Sequence, residues 1–335
     1  MAASTHDPGR RQALLQAKLR GLARSRLGAS VDQALPAALP WGSALAVDGT
    51  AWVLAEDEAP RSLGPALAWA LAQSAQRLVL IVTDGAGQVA RQASFFEFPV
   101  EVLKAEGRDL QAVSASATPA EPPLHADARS FETDIERAGA EVVIEHGRLL
   151  GEVKGLEVAR VEVGPDGGAV LGVGVGKHDR DAHQMVGRSD PAGRLFEVVR
   201  TVVEHRVPDG QGHAAYHLAS ERWLRWVLVR HPGEVGATRL HVVPSTVPRH
   251  DLRSPAPAPA AGVDGAGNSV LVVCSTGVDL GFVPAAVDAW QVDGRKPRLV
   301  LAVPQGDDHR VTLELAAVLS VPAEIVAVRA DWRAI

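Results

Sequence analysis

Uninterrupted apolar runs recur in the same order at both ends of the chain. At the N-terminal end, 51–55, 77–82 and 99–103 are separated by stretches of helical periodicity; at the C-terminal end, 270–274, 298–303 and 322–326 repeat the arrangement. Leu54 to Pro65 and Val273 to Pro284 both span 11 residues, while Arg77 to Pro99 spans 22 and Arg298 to Pro322 spans 24. A strand buried on both faces of a parallel sheet loses polar alternation. Each end therefore predicts β-α-β-α-β, with Leu54 matched to Val273 and Val79 to Val300. The fold class is α/β, with two related halves, 45–112 and 269–335, flanking a central α+β domain. Neither half is large enough to hide its own apolar faces, so the ends are expected to pack on one another or on the centre.

Stretches 113–123 and 254–268 are rich in Pro, Ala, Gly and Ser and read as linkers. They delimit a centre at 124–253 with a helix at 128–138, strands at 141–145, 149–163 and 169–177, a turn at 164–168, and helices from Asp190 to about Arg206 and from about Ala215 to Arg230. The order is α-β-β-β-α-α. Residues 1–44 carry a basic amphipathic helix and a lead-in. Asp7 and Pro8 suit a helix start, and Leu15, Leu19, Leu22, Ala23 and Leu27 fall on one face. Six basic residues oppose one acid over 1–27. Such a helix docks by its leucines; a transit segment, a membrane-surface helix and a nucleic-acid arm are the other readings of the same pattern.

The chain has 335 residues, 46% hydrophobic and 22% charged, with only 4% aromatic, so its cores must be aliphatic. The single cysteine, Cys274, excludes an internal disulfide and fits a reducing compartment. No apolar run reaches the roughly 18 residues of a membrane span, and a cytoplasmic location is expected. Net charge is −6.

The central hairpin carries the first candidate chemistry. Glu157 falls among apolar neighbours, while Gly172, Gly174 and Gly176 share one face of the next strand. In the register set by the turn, Leu156, Val158 and Arg160 lie opposite these glycines and could fill the space. Otherwise the bare face admits a ligand, with Lys177, His178, Asp179, Arg180 and His183 at its rim. An α-β-β-β order with carboxylates on central strands resembles the PD-(D/E)XK nuclease superfamily over about 128–205. That resemblance implies two carboxylates holding a divalent metal such as Mg²⁺ and a lysine polarising the attacked group, with Glu157, Lys177, His178 and Asp179 as candidate catalytic residues. The family's acid-x-lysine is replaced by Gly172-Val173-Gly174. Glu152-Val153-Lys154, preceded by Glu145, has the residue types but leads into another strand. Over most of its length the chain also resembles an uncharacterised actinobacterial-type conserved family, through 151–161, 174–185, 221–225 and 273–284, which implies a bacterial intracellular origin and brings no known activity with it.

Three further features remain. Gly85 and Gly87 follow the strand at 78–82 in a G-x-G-x-x-A pattern, with Glu106 19 residues beyond Gly87, as in a dinucleotide turn. Arg222, Trp223, Arg225 and Trp226 lay arginines and tryptophans on adjacent stripes of a helix, a pattern for nucleic-acid contact or for a core with paired arginines. Acids gather at strand ends: Glu56, Asp57, Glu58, Asp84, Asp279, Asp307 and Asp308. Three functions follow, in order. The first is a non-catalytic binding or interaction protein with a protein partner. The second is a nucleic-acid-binding or processing protein with a degenerate nuclease-like centre. The third is a nucleotide-binding enzyme using the glycine turn.

Overall fold

The computed structural model describes residues 8–185, 190–249 and 251–334. It is a mixed α/β protein with three sheets. The elements in chain order are α1 (Pro8–Leu27), β1 (Ala37–Leu39), β2 (Gly42–Val47), β3 (Thr50–Ala55), α2 (Leu63–Ala72), β4 (Arg77–Val82), α3 (Ala86–Ala93), β5 (Val100–Glu106), β6 (Asp109–Ala112), α4 (Glu132–Arg137), β7 (Glu141–Glu145), β8 (Arg148–Val153), β9 (Leu156–Val163), β10 (Ala169–Val173), α5 (Gly176–Met185), α6 (Pro191–His205), α7 (Ala214–His217), α8 (Ser220–Arg230), β11 (Arg239–Val242), β12 (Ala258–Val263), β13 (Ser269–Cys274), α9 (Phe282–Asp293), β14 (Arg298–Pro304), α10 (Arg310–Ala317) and β15 (Ala323–Val328). None of the described helices is long and apolar enough to cross a membrane.

The chain divides into two compact units. The first holds residues 1–118 with 280–288 and 310–322; the second holds 119–279, 289–309 and 323–335. The boundary after Thr118 falls inside the expected linker at 113–123. The units are not the expected consecutive domains, because the C-terminal half is shared between them. Two of its segments join residues 1–118, in line with the expectation that the ends meet.

In the first unit, β1-β2-β3-β4-β5-β6 form one sheet, parallel only across β3-β4-β5. Helix α1 docks its Leu15, Leu19 and Leu22 on Trp52, Leu54, Val79 and Ile81. Its basic side chains are used locally: Arg11 pairs with Asp57, Lys18 with Glu56 and Arg24 with Asp32. The docking reading of this helix is therefore the one observed; Asp7 lies outside the described residues. On α3, Arg91 donates to Asp288 at 2.9 and 3.2 Å, Gln92 donates to the same carboxylate at 2.9 Å, and Asp288 is fully buried. Arg91 also donates to Ser116 O and Ala117 O, which ties down the stretch that was read as a free linker.

In the second unit, β11-β12-β13-β14-β15 form a sheet of the same plan: an antiparallel pair of strands leads into three parallel ones. The register corrects one detail of the expected match. Val79 pairs with Trp52, and Val300 pairs with Val272. If Val79 answers to Val300, then Leu54 answers to Cys274 and not to Val273. Strands buried on both faces carry no alternation that fixes their parity, and a slip of one residue exchanges the faces.

Two segment readings are also corrected. Residues 258–263, inside the expected second linker, form the inner strand β12, buried between β11 and β13. Its alanines suit close packing, with Ala258 and Ala260 lying in the core with Trp223 and Leu224 of α8. The expected single strand at 149–163 is a hairpin of β8 and β9, turned at Lys154 and Gly155 with φ of 47° and 77°, as a two-residue primed turn requires. An added Cβ on Gly155 would overlap the Arg222 backbone. The central sheet is therefore an antiparallel meander, β10-β9-β8-β7, with four strands where three were expected. Its apolar face packs on Ile135 of α4 and on Leu195, Val199 and Val202 of α6. Helix α6 opens as expected, with Asp190 accepting from Gly193 N at 2.9 Å.

Candidate functional site

The other face of the meander is charged. Glu141 stands opposite Glu152 across β7–β8, and Glu152 stands opposite Glu157 across β8–β9, where the ladder is bulged. Like charges directly opposed across strands repel, and burial deepens the cost for Glu152 and Glu157. Each glutamate is answered by guanidinium. Glu141 accepts from Arg230 at 2.7 Å and from Trp226 Nε1 at 2.6 Å. Glu152 accepts from Arg222 at 2.5 Å and from Arg225 at 3.0 Å. Glu157 accepts two hydrogen bonds from Arg160, at 2.9 and 2.6 Å, and one from Arg180 at 2.7 Å. Glu145, farther along β7, pairs with Arg222 and accepts from Ser245 N.

Helix α8 thus has two buried faces. Trp223, Leu224, Val227 and Leu228 enter the core of the five-stranded sheet, while Arg222 and Arg225 turn to the carboxylates. The expected nucleic-acid surface at Arg222, Trp223, Arg225 and Trp226 is corrected: the first three are almost wholly buried and Trp226 is half-buried. Three-residue spacing separates two stripes equally well on a helix between two layers and on one facing solvent.

Electrostatics follow this packing. Burial alone would raise the Glu145 carboxyl, but Arg222, Arg225 and the Ser245 amide outweigh it and hold it below the ordinary range. Burial opposes the charge on Arg222, and Glu152, Glu145 and Glu157 outweigh it, so its pKa is raised. Because the folded-state value of Glu145 lies below the unfolded value near 4.3, its stabilisation is present above that pH and is lost as pH falls through the folded value. Denaturant midpoints measured from pH 7 down to pH 3 should fall, and Glu145→Gln should flatten part of the fall. An equally steep fall in the variant would show that other groups carry it.

Sequence reasoning missed Arg206. It is fully buried and donates to the carbonyls of Lys154, Ala215, Leu218 and Ala219 at 2.6–3.0 Å, stacked 4.6 Å from the Trp223 ring. Burial pushes its pKa down to about 9. The cage gathers the β8–β9 turn and the break between α7 and α8, where the sequence reading placed one continuous helix. Its only trace in the sequence is an arginine at the end of the α6 periodicity.

The glycine groove is closed from within. Gly172 pairs with Arg160, and Gly174 N donates to Val158 O, as the expected register requires. Helix α5 then lies over the glycines: an added Cβ at Gly172 would sit 3.2 Å from Arg180 Cδ, and one at Gly174 would sit 2.7 Å from Asp179 Oδ2. Asp179 accepts from Val175 N at 2.8 Å, a local capping role in place of the catalytic one expected. Glu157, 2% exposed, is held by two arginines and offers no free carboxylate edge for a metal. His183 lies outside the residues whose side chains are described.

Beside the closed groove the charged face remains open in a cleft of about 820 Å³. Arg160 and Glu162 of β9 line it, with Lys177, His178 and Arg180 of α5 and with Arg249, Asp251, Leu252 and Arg253. Glu157, Lys177 and His178 are thus brought to one cleft, the last two exposed at its rim. Lys177 and Arg253, and Arg148 at the same cleft, have no carboxylate partner among the described residues. The size suits a small ligand, and the free cations suit a negative one.

The remaining candidates are structural. Gly85 has φ of 59°, and an added Cβ there would lie 2.7 Å from Pro60; one at Gly87 would lie 2.8 Å from Ser116. Pro60 and Ser116 pack against the two glycines, so close packing within the protein accounts for Gly85 and Gly87, in place of the expected approach of a dinucleotide. Glu106 is paired with Lys104. Cys274 is buried, and burial raises its thiol to about 12. Asp307 accepts from Gly277 N, and Asp308 accepts from Gly306 N. Compared with protein-family models, curated proteins and solved structures, the chain matches none.

Proposed function

We propose that this chain is a non-catalytic binding protein whose cleft beside α5 takes an anionic ligand. The observation that carries the reading is the division of charge on one sheet face. The glutamates a metal-dependent reaction would use are already bound by arginines, whereas Arg148, Lys177 and Arg253 at the adjoining cleft have no carboxylate partner among the described residues. A set of unpaired cations around a concave surface recruits negative charge. The shared plan of the two end sheets supports reading them as an internal duplication.

Thermal unfolding at low salt in the presence of pyrophosphate, sulfate and citrate tests the reading. The midpoint should rise with at least one of these anions, and the rise should vanish in Lys177→Glu/Arg253→Glu. Pyrophosphate should be recovered intact after prolonged incubation. A midpoint unmoved by all three anions would remove the binding reading; cleavage of pyrophosphate would remove the non-catalytic part of it.

A further inference from the structure

Two buried arginines line the cleft with part of their hydrogen-bonding capacity unused. Arg180 and Arg249 have side chains only 4% and 7% exposed. Each has its Nε buried without a hydrogen-bond partner. The outer nitrogens are engaged: Arg180 donates to Glu157, and Arg249 donates to the carbonyls of Asp251 and Ser254 and pairs with Glu221. Glu162 stands 3.6 Å from Arg180 Nε, beyond hydrogen-bonding reach. A buried donor without an acceptor is costly and uncommon in a native fold. Both Nε atoms are closed off from solvent, so an acceptor in the cleft meets them only once the two side chains shift toward it.

The same cleft receives the start of α5. Gly176, Lys177 and His178 line it, and the first amides of a helix lack partners within the helix. The amide just before them, Val175 N, is taken by Asp179. Donors therefore stand on several sides of the cleft, on β9, on α5 and at Arg249 and Arg253, alongside Glu157, Glu162 and Asp251. A carboxylate presents two oxygens in one plane and a single charge. A phosphate monoester presents three oxygens around a tetrahedron and up to two charges, which matches donors converging from several sides. A long polyanion is disfavoured: the chain carries a net charge of −6, and Arg222 and Arg225, which could have extended a basic track, are buried. Extended nucleic acid gains its affinity from many phosphate contacts.

Resting on the anion-binding reading, we infer that the ligand is a phosphorylated small molecule whose phosphate is taken by Arg180 and Arg249 inside the cleft and by Lys177 and Arg253 at its mouth.

Calorimetric titration of the full chain in low-salt, phosphate-free buffer tests the class. The probes are inorganic phosphate, glycerol 3-phosphate and ribose 5-phosphate, with malonate and succinate as dicarboxylates and a short single-stranded oligonucleotide. The phosphate monoesters should bind at least about tenfold more tightly than the dicarboxylates. Lys177→Ala and Arg253→Ala change exposed side chains and leave the fold intact; each should weaken binding by about tenfold. Arg249→Lys, which keeps the charge and removes Nε, should weaken it further; its ligand-free unfolding midpoint, measured alongside, shows that the variant is folded at the titration temperature, since the substitution also gives up hydrogen bonds to the Asp251 and Ser254 carbonyls. Dicarboxylates binding as well as phosphate monoesters, or binding by the oligonucleotide alone, would overturn the phosphate inference while leaving the anion reading in place. Silence from every probe would overturn both.

Discussion

Glu152→Ala is expected to lower the stability of the second unit by about 3–5 kcal/mol, the usual cost of removing one partner from a buried ion pair. The reason is the company this carboxylate keeps. Arg222 and Arg225, with side chains 5% and 1% exposed, both donate to it. Arg222 retains Glu145, but Arg225 loses the acid it is bonded to, and its Nε and Nη1 already lack partners. Replacing Glu152 and Arg225 together by methionine removes the charges as a set and should recover much of the loss. Urea denaturation of the parent, the alanine variant and the double variant measures all three. An alanine variant as stable as the parent would mean that the network contributes nothing, and a double variant worse than the single one would mean that shape, not charge, decides.

Asp288→Ala should have an effect of similar size, about 3–5 kcal/mol, on the first unit. Asp288 is fully buried and accepts from Arg91 and Gln92 together. Its loss leaves a guanidinium with side-chain exposure of 4% facing no carboxylate. Arg91 also holds Ser116 and Ala117, so the segment after β6 should loosen with it. Hydrogen exchange resolved by segment reads both effects: protection should fall over α3 and over residues 113–118. If the midpoint drops while 113–118 keeps its protection, the anchoring part of the argument is wrong.

Which parts of this architecture could be read beforehand follows from the physical nature of each signal. The parallel strands at 77–82 and 298–303 were legible because an apolar run bounded by helical periodicity has few other meanings. Asp190-Pro191 marked the start of α6 because capping is a local property. Strand β12 was not legible, since Ala and Pro advertise a linker, and only the neighbours β11 and β13 make small side chains a reason to be buried. The turn at Lys154-Gly155 was hidden because apolar residues continue on both sides of it. Glu157 was recognised as a charge in need of a partner, but its partners Arg160 and Arg180 were not identified. Arg222 and Arg225 were seen as a stripe, yet their acids lie 70–77 residues away. Arg249 and Arg253 belong to the net-positive stretch 222–253 that suggested nucleic-acid contact, but only folding brings them to the cleft.

The division of the chain into units has a consequence for how the protein is made. Residues 1–118 are made before 280–288 and 310–322, which belong to the same unit, so Asp288 reaches Arg91 only after the whole stretch between them has been synthesised. The glutamates of β7 and β8 likewise wait for Arg222 and Arg225. The second unit, for its part, requires 323–335. Domains that close on a contiguous stretch can fold in turn as they emerge. Neither unit of this chain is such a stretch: the first closes only once 310–322 has been made, and the second only with 323–335.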